Sequence, residues 1–281
     1  MIIEKADDTG FCFGVKRAIH LLEKAARERG AVETLGAVVH NAQVLQRLAD
    51  SGIRMVKDID NLKGDTVATS SHGVSPQLKR QIRERNIDII STTCPFVNRA
   101  QVSARRLAES GFFVIVYGDV NHPEVKGILG WANGNGIATL DLDFLDTFKR
   151  IPRRLGILSQ TTQIPAHFTE FVQDVIDRAF TRDFEIRIID TICHDIRERQ
   201  TAALGLASRV DLMLVVGGHS SSNTNLLTEL CSTVTEAHLV ETAEDIDQTW
   251  LAGKEHIGVT GGASTPEETV NKVIAKLESM A

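Results

Sequence analysis

Three of the four cysteines head the same local pattern. Cys12, Cys94 and Cys193 each precede by 28 residues a polar group that follows an apolar run: His40, His122 and Ser221. Ligands of open parallel α/β sheets bind beyond the carboxyl ends of the strands. Three thiols at equivalent strand-to-helix turns therefore predict one cofactor gripped at a pseudo-threefold axis. Thiolates suit zinc or iron–sulfur centres. Three thiolates plus a water would make a zinc site. Three would also hold a 4Fe–4S cluster, which normally takes four, leaving one iron open to a substrate. Spacing does not choose between them. Cys231 sits inside the helical run Leu226-Leu227-Thr228-Glu229-Leu230-Cys231, matches no other unit, and is read as core.

The polar groups at the repeated turns form a second set. His40-Asn41, His122 and Ser221-Ser222-Asn223 share the cysteine offset. A later loop of each unit contributes Ser71-His72-Gly73-Val74-Ser75-Pro76, then Ser159-Gln160-Thr161-Thr162-Gln163-Ile164-Pro165, then Thr260-Gly261-Gly262-Ala263-Ser264-Thr265-Pro266. Each follows an apolar strand and ends in a proline suited to the first turn of a helix. Helix N-termini favour anions, and imidazolium adds charge-assisted bonds to phosphate. His40, His72, His122, Ser221, Ser222, Asn223 and Ser264 are thus read as donors to a phosphate or diphosphate. Glu124, in Asn121-His122-Pro123-Glu124, stands beside this set. A carboxyl there is expected to have a raised pKa and to deliver a proton, with Thr161-Thr162 holding a water or hydroxyl in the relay. The remaining histidines are read as surface or satisfied-core residues, and Lys79-Arg80 and Arg105-Arg106 as solvated helix faces.

Elements that put these groups in place alternate strand with helix, the signature of parallel α/β units. Around Cys94 the pattern predicts a strand over Ile87 to Ser91, a helix over Val97 to Ser110 and a strand over Phe112 to Tyr117. Around Cys193 it predicts a strand over Phe184 to Ile189, a helix over Ile196 to Ser208 and a strand over Asp211 to Val216. Cys12 leads into a helix from Val15 to about Arg29 and a strand over Val32 to Leu35. The third unit ends after its helix, and the strand it lacks is assigned to Ile2 to Lys5. The expected domains are 12–93, 94–192, and 193–281 completed by 1–11.

Composition narrows the function classes. The chain has 281 residues and a formal charge of −6, enough length for sizeable cores without staples. With no basic run it is expected to bind neither nucleic acid nor an anionic membrane. It shows no apolar span and no signal-peptide pattern at Met1-Ile2-Ile3-Glu4-Lys5, so a cytoplasmic location is expected. Cysteines in a reducing compartment are not a disulfide scaffold.

Taken in order, the motifs resemble those of the 4-hydroxy-3-methylbut-2-enyl diphosphate reductase family. They are Gly10-Phe11-Cys12-Phe13-Gly14-Val15, Val39-His40-Asn41, Ser71-His72-Gly73-Val74-Ser75, Thr93-Cys94-Pro95 and His122-Pro123-Glu124-Val125. They continue with Gln160-Thr161-Thr162, Thr191-Ile192-Cys193, Ser221-Ser222-Asn223-Thr224-Asn225 and Gly262-Ala263-Ser264. The resemblance implies three similar α/β domains with mostly parallel sheets, arranged as a pseudo-threefold trefoil around a central iron–sulfur cluster. It implies one 4Fe–4S cluster with Cys12, Cys94 and Cys193 as ligands and one open iron. It makes His40, His72, His122, Ser221, Ser222, Asn223 and Ser264 the diphosphate-binding residues, Glu124 the proton-delivering acid and Thr161 its neighbour. The implied reaction is reductive dehydroxylation of the allylic diphosphate to isopentenyl and dimethylallyl diphosphate, the last step of the methylerythritol phosphate pathway. No dinucleotide fingerprint follows any strand, so the implied electron donor is external: reduced ferredoxin or flavodoxin.

Asp195-Ile196 departs from the Ala-Thr common in the family after the third cysteine, while Arg199-Gln200 fits it. The residues taken alone also admit a thiolate-zinc hydrolase, or a noncatalytic phosphoryl-ligand-binding protein that would not need the cysteines.

Overall fold

Short β-rich runs alternating with amphipathic helices give three four-stranded sheets, every pairing parallel. The structure is a computed structural model and describes residues 1–39, 41–179 and 184–280. The chain falls into two compact units, one of Met1–Lys16, Val39–Asp50 and His194–Ala281, the other of Arg17–Val38 and Ser51–Cys193.

The first unit holds one sheet, in the order β1 (Ile2–Lys5), β12 (His256–Gly261), β10 (Leu212–Val216), β11 (Glu236–Val240). Ile2 pairs with His256 and Lys5 with Val259, so the N-terminal strand lies along the edge of the sheet built by the C-terminal segment. Side chains of a strand alternate between faces. Leu212, Leu214 and Val216 accordingly pack with Val270, Val273 and Leu277 of α9 (Glu267–Glu278). Met213 and Val215 pack with Ala203 and Leu206 of α7 (His194–Ala207) and Leu227 and Cys231 of α8 (Ser222–Ser232). Cys231 is fully buried there, and burial pushes its thiol up to about 12. It is the core residue its helical setting predicts.

The second unit carries two sheets. One runs β3 (Ile53–Val56), β2 (Val32–Leu35), β4 (Thr66–Thr69), β5 (Asp88–Ile90). The other runs β7 (Gly136–Thr139), β6 (Phe113–Tyr117), β8 (Arg154–Ser159), β9 (Glu185–Ile189). Ile115, Leu155 and Ile157 face Phe168, Phe171 and Val175 of α6 (Pro165–Ala179). Val114, Val116 and Leu158 face Ala100, Ala104 and Leu107 of α4 (Pro95–Glu109) and Val125 and Ile128 of α5 (Pro123–Trp131). Sheets covered on both sides give the near-continuous apolar runs of β6 and β10.

Two local expectations change. Pro76 and Pro165 begin α3 (Pro76–Glu84) and α6, but Pro266 sits one position earlier, as the N-cap of α9, with extended ψ of 144°. Lys79 is half-buried rather than a plain solvated face, and its ammonium and the guanidinium of exposed Arg105 lie 5.1 and 5.7 Å from the centre of the Trp131 ring. Among the described residues no helix is long and apolar enough to cross a membrane.

Candidate active site

Each cysteine stands immediately before a helix: Cys12 before α1 (Phe13–Arg29), Cys94 before α4 and Cys193 before α7. Each also donates its main-chain N–H to the later loop of a unit. Cys12 bonds the Ala263 carbonyl at 3.0 Å, Cys94 that of Ser71 at 3.0 Å, and Cys193 that of Thr161 at 2.9 Å. Each cysteine turn is thereby tied through backbone to the later loop of the repeat that precedes it.

In the second unit one chain of contacts joins most of the expected groups. Thr161 donates its N–H at 2.6 Å and its hydroxyl at 2.9 Å to the two oxygens of Glu124. Glu124 donates its own N–H at 3.2 Å to Nδ1 of His122, the N-cap of α5. Because Nδ1 accepts, a neutral His122 carries its proton on Nε2. The His122 ring meets His72 edge-on with centroids 5.3 Å apart, and His72 follows Ser71, the acceptor for Cys94. Glu124 is 2 % exposed. Burial raises its carboxyl to about 7, and the Thr161 bonds, which favour the anion, hold it from going higher. A buried acid that still holds its proton near neutrality is what proton delivery requires.

The first unit gathers a smaller set. Ser221 caps α8, its hydroxyl accepting the Thr224 N–H at 3.3 Å. Asn223 is buried, and its Nδ2 finds no protein partner among the described residues. Such an orphaned amide is costly unless something outside the chain satisfies it. Ser264 is also buried and lies next to Ala263, the partner of Cys12. His40 lies outside the described residues; its neighbour Asn41 accepts the Val44 N–H at 3.0 Å, starting α2 (Ala42–Asp50).

Opposed influences act on the thiol of Cys12. Burial pushes it above the ordinary thiol range; the N–H groups of Val15 and Gly14 and the charge of Arg199 pull the other way, while Asp195 adds to the rise. N–H groups of a first helical turn aimed at sulfur favour the thiolate, the form that ligates metal. Soft sulfur donors at helix starts suit a zinc or iron–sulfur centre, and an orphaned amide such as that of Asn223 suits an anionic acceptor. Among the described residues, no three His, Cys, Asp or Glu side chains are grouped closely enough to hold a metal ion.

Asp195 and Ile196, the departure noted in sequence, separate cleanly. Ile196 is buried as core, whereas the Asp195 carboxylate accepts the Phe13 N–H at 2.9 Å, beside Cys12. Three groups carry no obvious motif and escape sequence reading: Arg17, Arg99 and Gln101. The signal that could have found them is their fixed offset after a cysteine, with Gln101 and Gln200 each seven residues on. The Gln101 amide is buried against the His72–Gly73 turn.

That packing yields a first prediction. Gly73 has φ +72°, and a Cβ there would collide with the Gln101 amide and touch Thr93. Gly73→Ala is expected to cost about 1–2 kcal/mol, from the left-handed backbone alone. Thermal denaturation measures that loss, and phosphate-ligand affinity should weaken with it as the His72 loop is displaced.

The LytB protein family model matches residues 3–278. A relative named 4-hydroxy-3-methylbut-2-enyl diphosphate reductase from Dehalococcoides mccartyi (strain CBDB1) is 58% identical over 281 residues, covering 100% of this chain and 99% of the relative. One of the same name from Geobacter sulfurreducens is 38% identical over 99% of this chain and 97% of its own. A solved (E)-4-hydroxy-3-methyl-but-2-enyl diphosphate reductase, the terminal enzyme of the non-mevalonate pathway, is similar with a TM-score of 0.70 and 34% identity, covering 99% of this chain and 100% of its own. The Plasmodium falciparum E-1-hydroxy-2-methyl-but-2-enyl-4-diphosphate reductase superposes with a TM-score of 0.91 at 28% identity, over 98% and 87%.

Proposed function

Since this chain belongs to the LytB protein family, we propose that it reduces 4-hydroxy-3-methylbut-2-enyl diphosphate to isopentenyl and dimethylallyl diphosphate. The family implies an iron–sulfur cofactor, and the ligands we assign to it are Cys12, Cys94 and Cys193. Bound there as a 4Fe–4S cluster with one open iron, it would supply electrons singly and a Lewis-acidic position for the substrate hydroxyl. The chain's own groups do the rest. His72 and His122, with His40, donate to the diphosphate, His122 through Nε2–H. Ser221, Ser222, Asn223 and Ser264 add neutral donors, and the orphaned Asn223 amide finds its acceptor.

The reaction takes two electrons from the external donor and two protons. One proton, held by Glu124, leaves with the hydroxyl oxygen as water. The other adds to carbon at either end of the allylic unit, giving the two isomers. Thr161 fixes both carboxyl oxygens of Glu124 in place. Loss of hydroxide from carbon would be slow; loss of water, with the proton already placed, is faster by the usual factor for a positioned acid, about 10²–10⁴. The observation that carries this reading is the buried Glu124–Thr161 pair, its carboxyl raised by burial to about 7 and linked by backbone to the Cys193 turn. Reduced ferredoxin or flavodoxin is the donor we assign, in the cytoplasm.

Anaerobic purification with iron and acid-labile sulfide analysis tests the cofactor, followed by assay with the hydroxylated allylic diphosphate and a reduced one-electron donor. Brown protein with near-equal iron and sulfide, forming both isomers, is expected. Colourless, sulfide-free protein would overturn the assignment and return the zinc reading.

A further inference from the structure

Arginines recur at matching places in the three cysteine helices. Arg17 and Arg99 lie five residues after Cys12 and Cys94, and Arg199 lies six after Cys193. Each donates to a main-chain carbonyl just ahead of a different cysteine. Arg17 bonds the Thr93 oxygen at 3.1 Å, one residue before Cys94. Arg99 bonds that of Asp190 at 3.3 Å, three residues before Cys193. Arg199 bonds that of Gly10 at 2.9 Å, two residues before Cys12. The order is cyclic in sequence: the helix after each cysteine reaches the approach to the next, and the last returns to the first.

We propose that Arg17, Arg99 and Arg199 are positioning residues, a set of clamps that fix the backbone entering each cysteine turn and so hold the thiols ready for the cluster. The inference rests on the assignment of those cysteines as ligands. A cysteine at a strand-to-helix turn has its helix side fixed by the helix itself. Its entry side is irregular chain, whose carbonyl would otherwise be satisfied by water or be free to turn. A guanidinium is long enough to span to that carbonyl and rigid enough to orient it. It also brings a fixed positive charge near an anionic centre, where Coulomb attraction favours added negative charge.

The three arms differ in strength. Arg199 is 1 % exposed, bonds the Gly261 carbonyl at 2.6 Å as well, and stands 3.6 Å from Asp8. Its Nε–H is buried with no protein acceptor among the described residues. A buried cation with an unused donor is costly to keep for packing alone. Arg17 is half-buried and Arg99 exposed, so their contributions should decline in that order.

The test uses anaerobically purified holoenzyme of Arg17→Gln, Arg17→Lys, Arg99→Gln and Arg199→Gln. Arg17→Gln is expected to lose iron to a chelator about tenfold faster, in the range of outer-shell changes at metal sites. Its reduction midpoint, followed by EPR, should move to lower potential. Arg17→Lys keeps the charge and should restore the midpoint while restoring retention only in part. Arg99→Gln should show the same signs more weakly. If Arg199→Gln does not fold, the Arg17 pair decides the matter. Metal-free Arg17→Gln should also alkylate Cys94 faster than the metal-free parent. Unchanged iron loss, midpoint and alkylation would overturn the clamp. Parent protein without iron or sulfide would instead overturn the cysteine assignment, leaving alkylation to decide the clamp.

Discussion

Cys12→Ser, Cys94→Ser and Cys193→Ser enzymes should each turn over at background when purified without oxygen. Serine replaces a soft sulfur with a hard hydroxyl, so iron loses a ligand it prefers. Iron and sulfide per chain should fall with activity, and the brown colour should fade. Cys231→Ser provides the contrast: its thiol is fully buried in the core of the first unit. That variant should lose stability through a buried, poorly matched hydroxyl while retaining iron. A noncatalytic phosphoryl-binding protein would give the opposite result, keeping diphosphate affinity in all three. Calorimetry with inorganic diphosphate, run beside iron analysis, separates the two.

Glu124→Gln should keep its iron and lose turnover by about 10²–10⁴-fold, the usual worth of a positioned acid. The amide preserves the shape and can still accept from Thr161, but it has no proton to give at neutral pH. In the parent enzyme, the pH dependence follows from the carboxyl raised by burial to about 7. Below that value Glu124 is protonated and competent, so kcat/KM should fall as pH rises through about 7. The same shift has a stability consequence of defined sign. The unfolded chain releases this proton near 4.5 and the folded one near 7. The linked stability is therefore full below 4.5 and is lost as pH rises through about 7. Glu124→Gln should flatten that part of the stability profile. A profile unchanged by the substitution, with normal turnover, would remove Glu124 from the reaction.

Where sequence reading succeeds, the deciding interactions are local. The helix after Cys94, read as Val97 to Ser110, is α4 at Pro95–Glu109. The strand read as Asp211 to Val216 is β10 at Leu212–Val216. Periodicity carries these because one face of each element must be apolar, and proline marks first turns because it needs no N–H donor there. The ends slip by a residue or two, since capping depends on where the chain arrives from. Pro266 is such a case.

Spacing cannot express burial or a bond across distant sequence. Nothing in Asn121-His122-Pro123-Glu124 reveals that Thr161 takes both carboxyl oxygens, or that the site is dry enough to keep a proton near neutrality. Asp195 reads as a departure in sequence and becomes a cap for Phe13 only when α7 packs beside the Cys12 turn. By itself, then, the sequence determined the class of fold, the order of its elements and the set of residues with chemistry to offer, because propensity and periodicity act over a few residues. Tertiary structure decided which of those groups share a proton, which carbonyls the arginines hold and which polar atoms are left for a ligand. Desolvation and long-range hydrogen bonds exist only once the elements have packed.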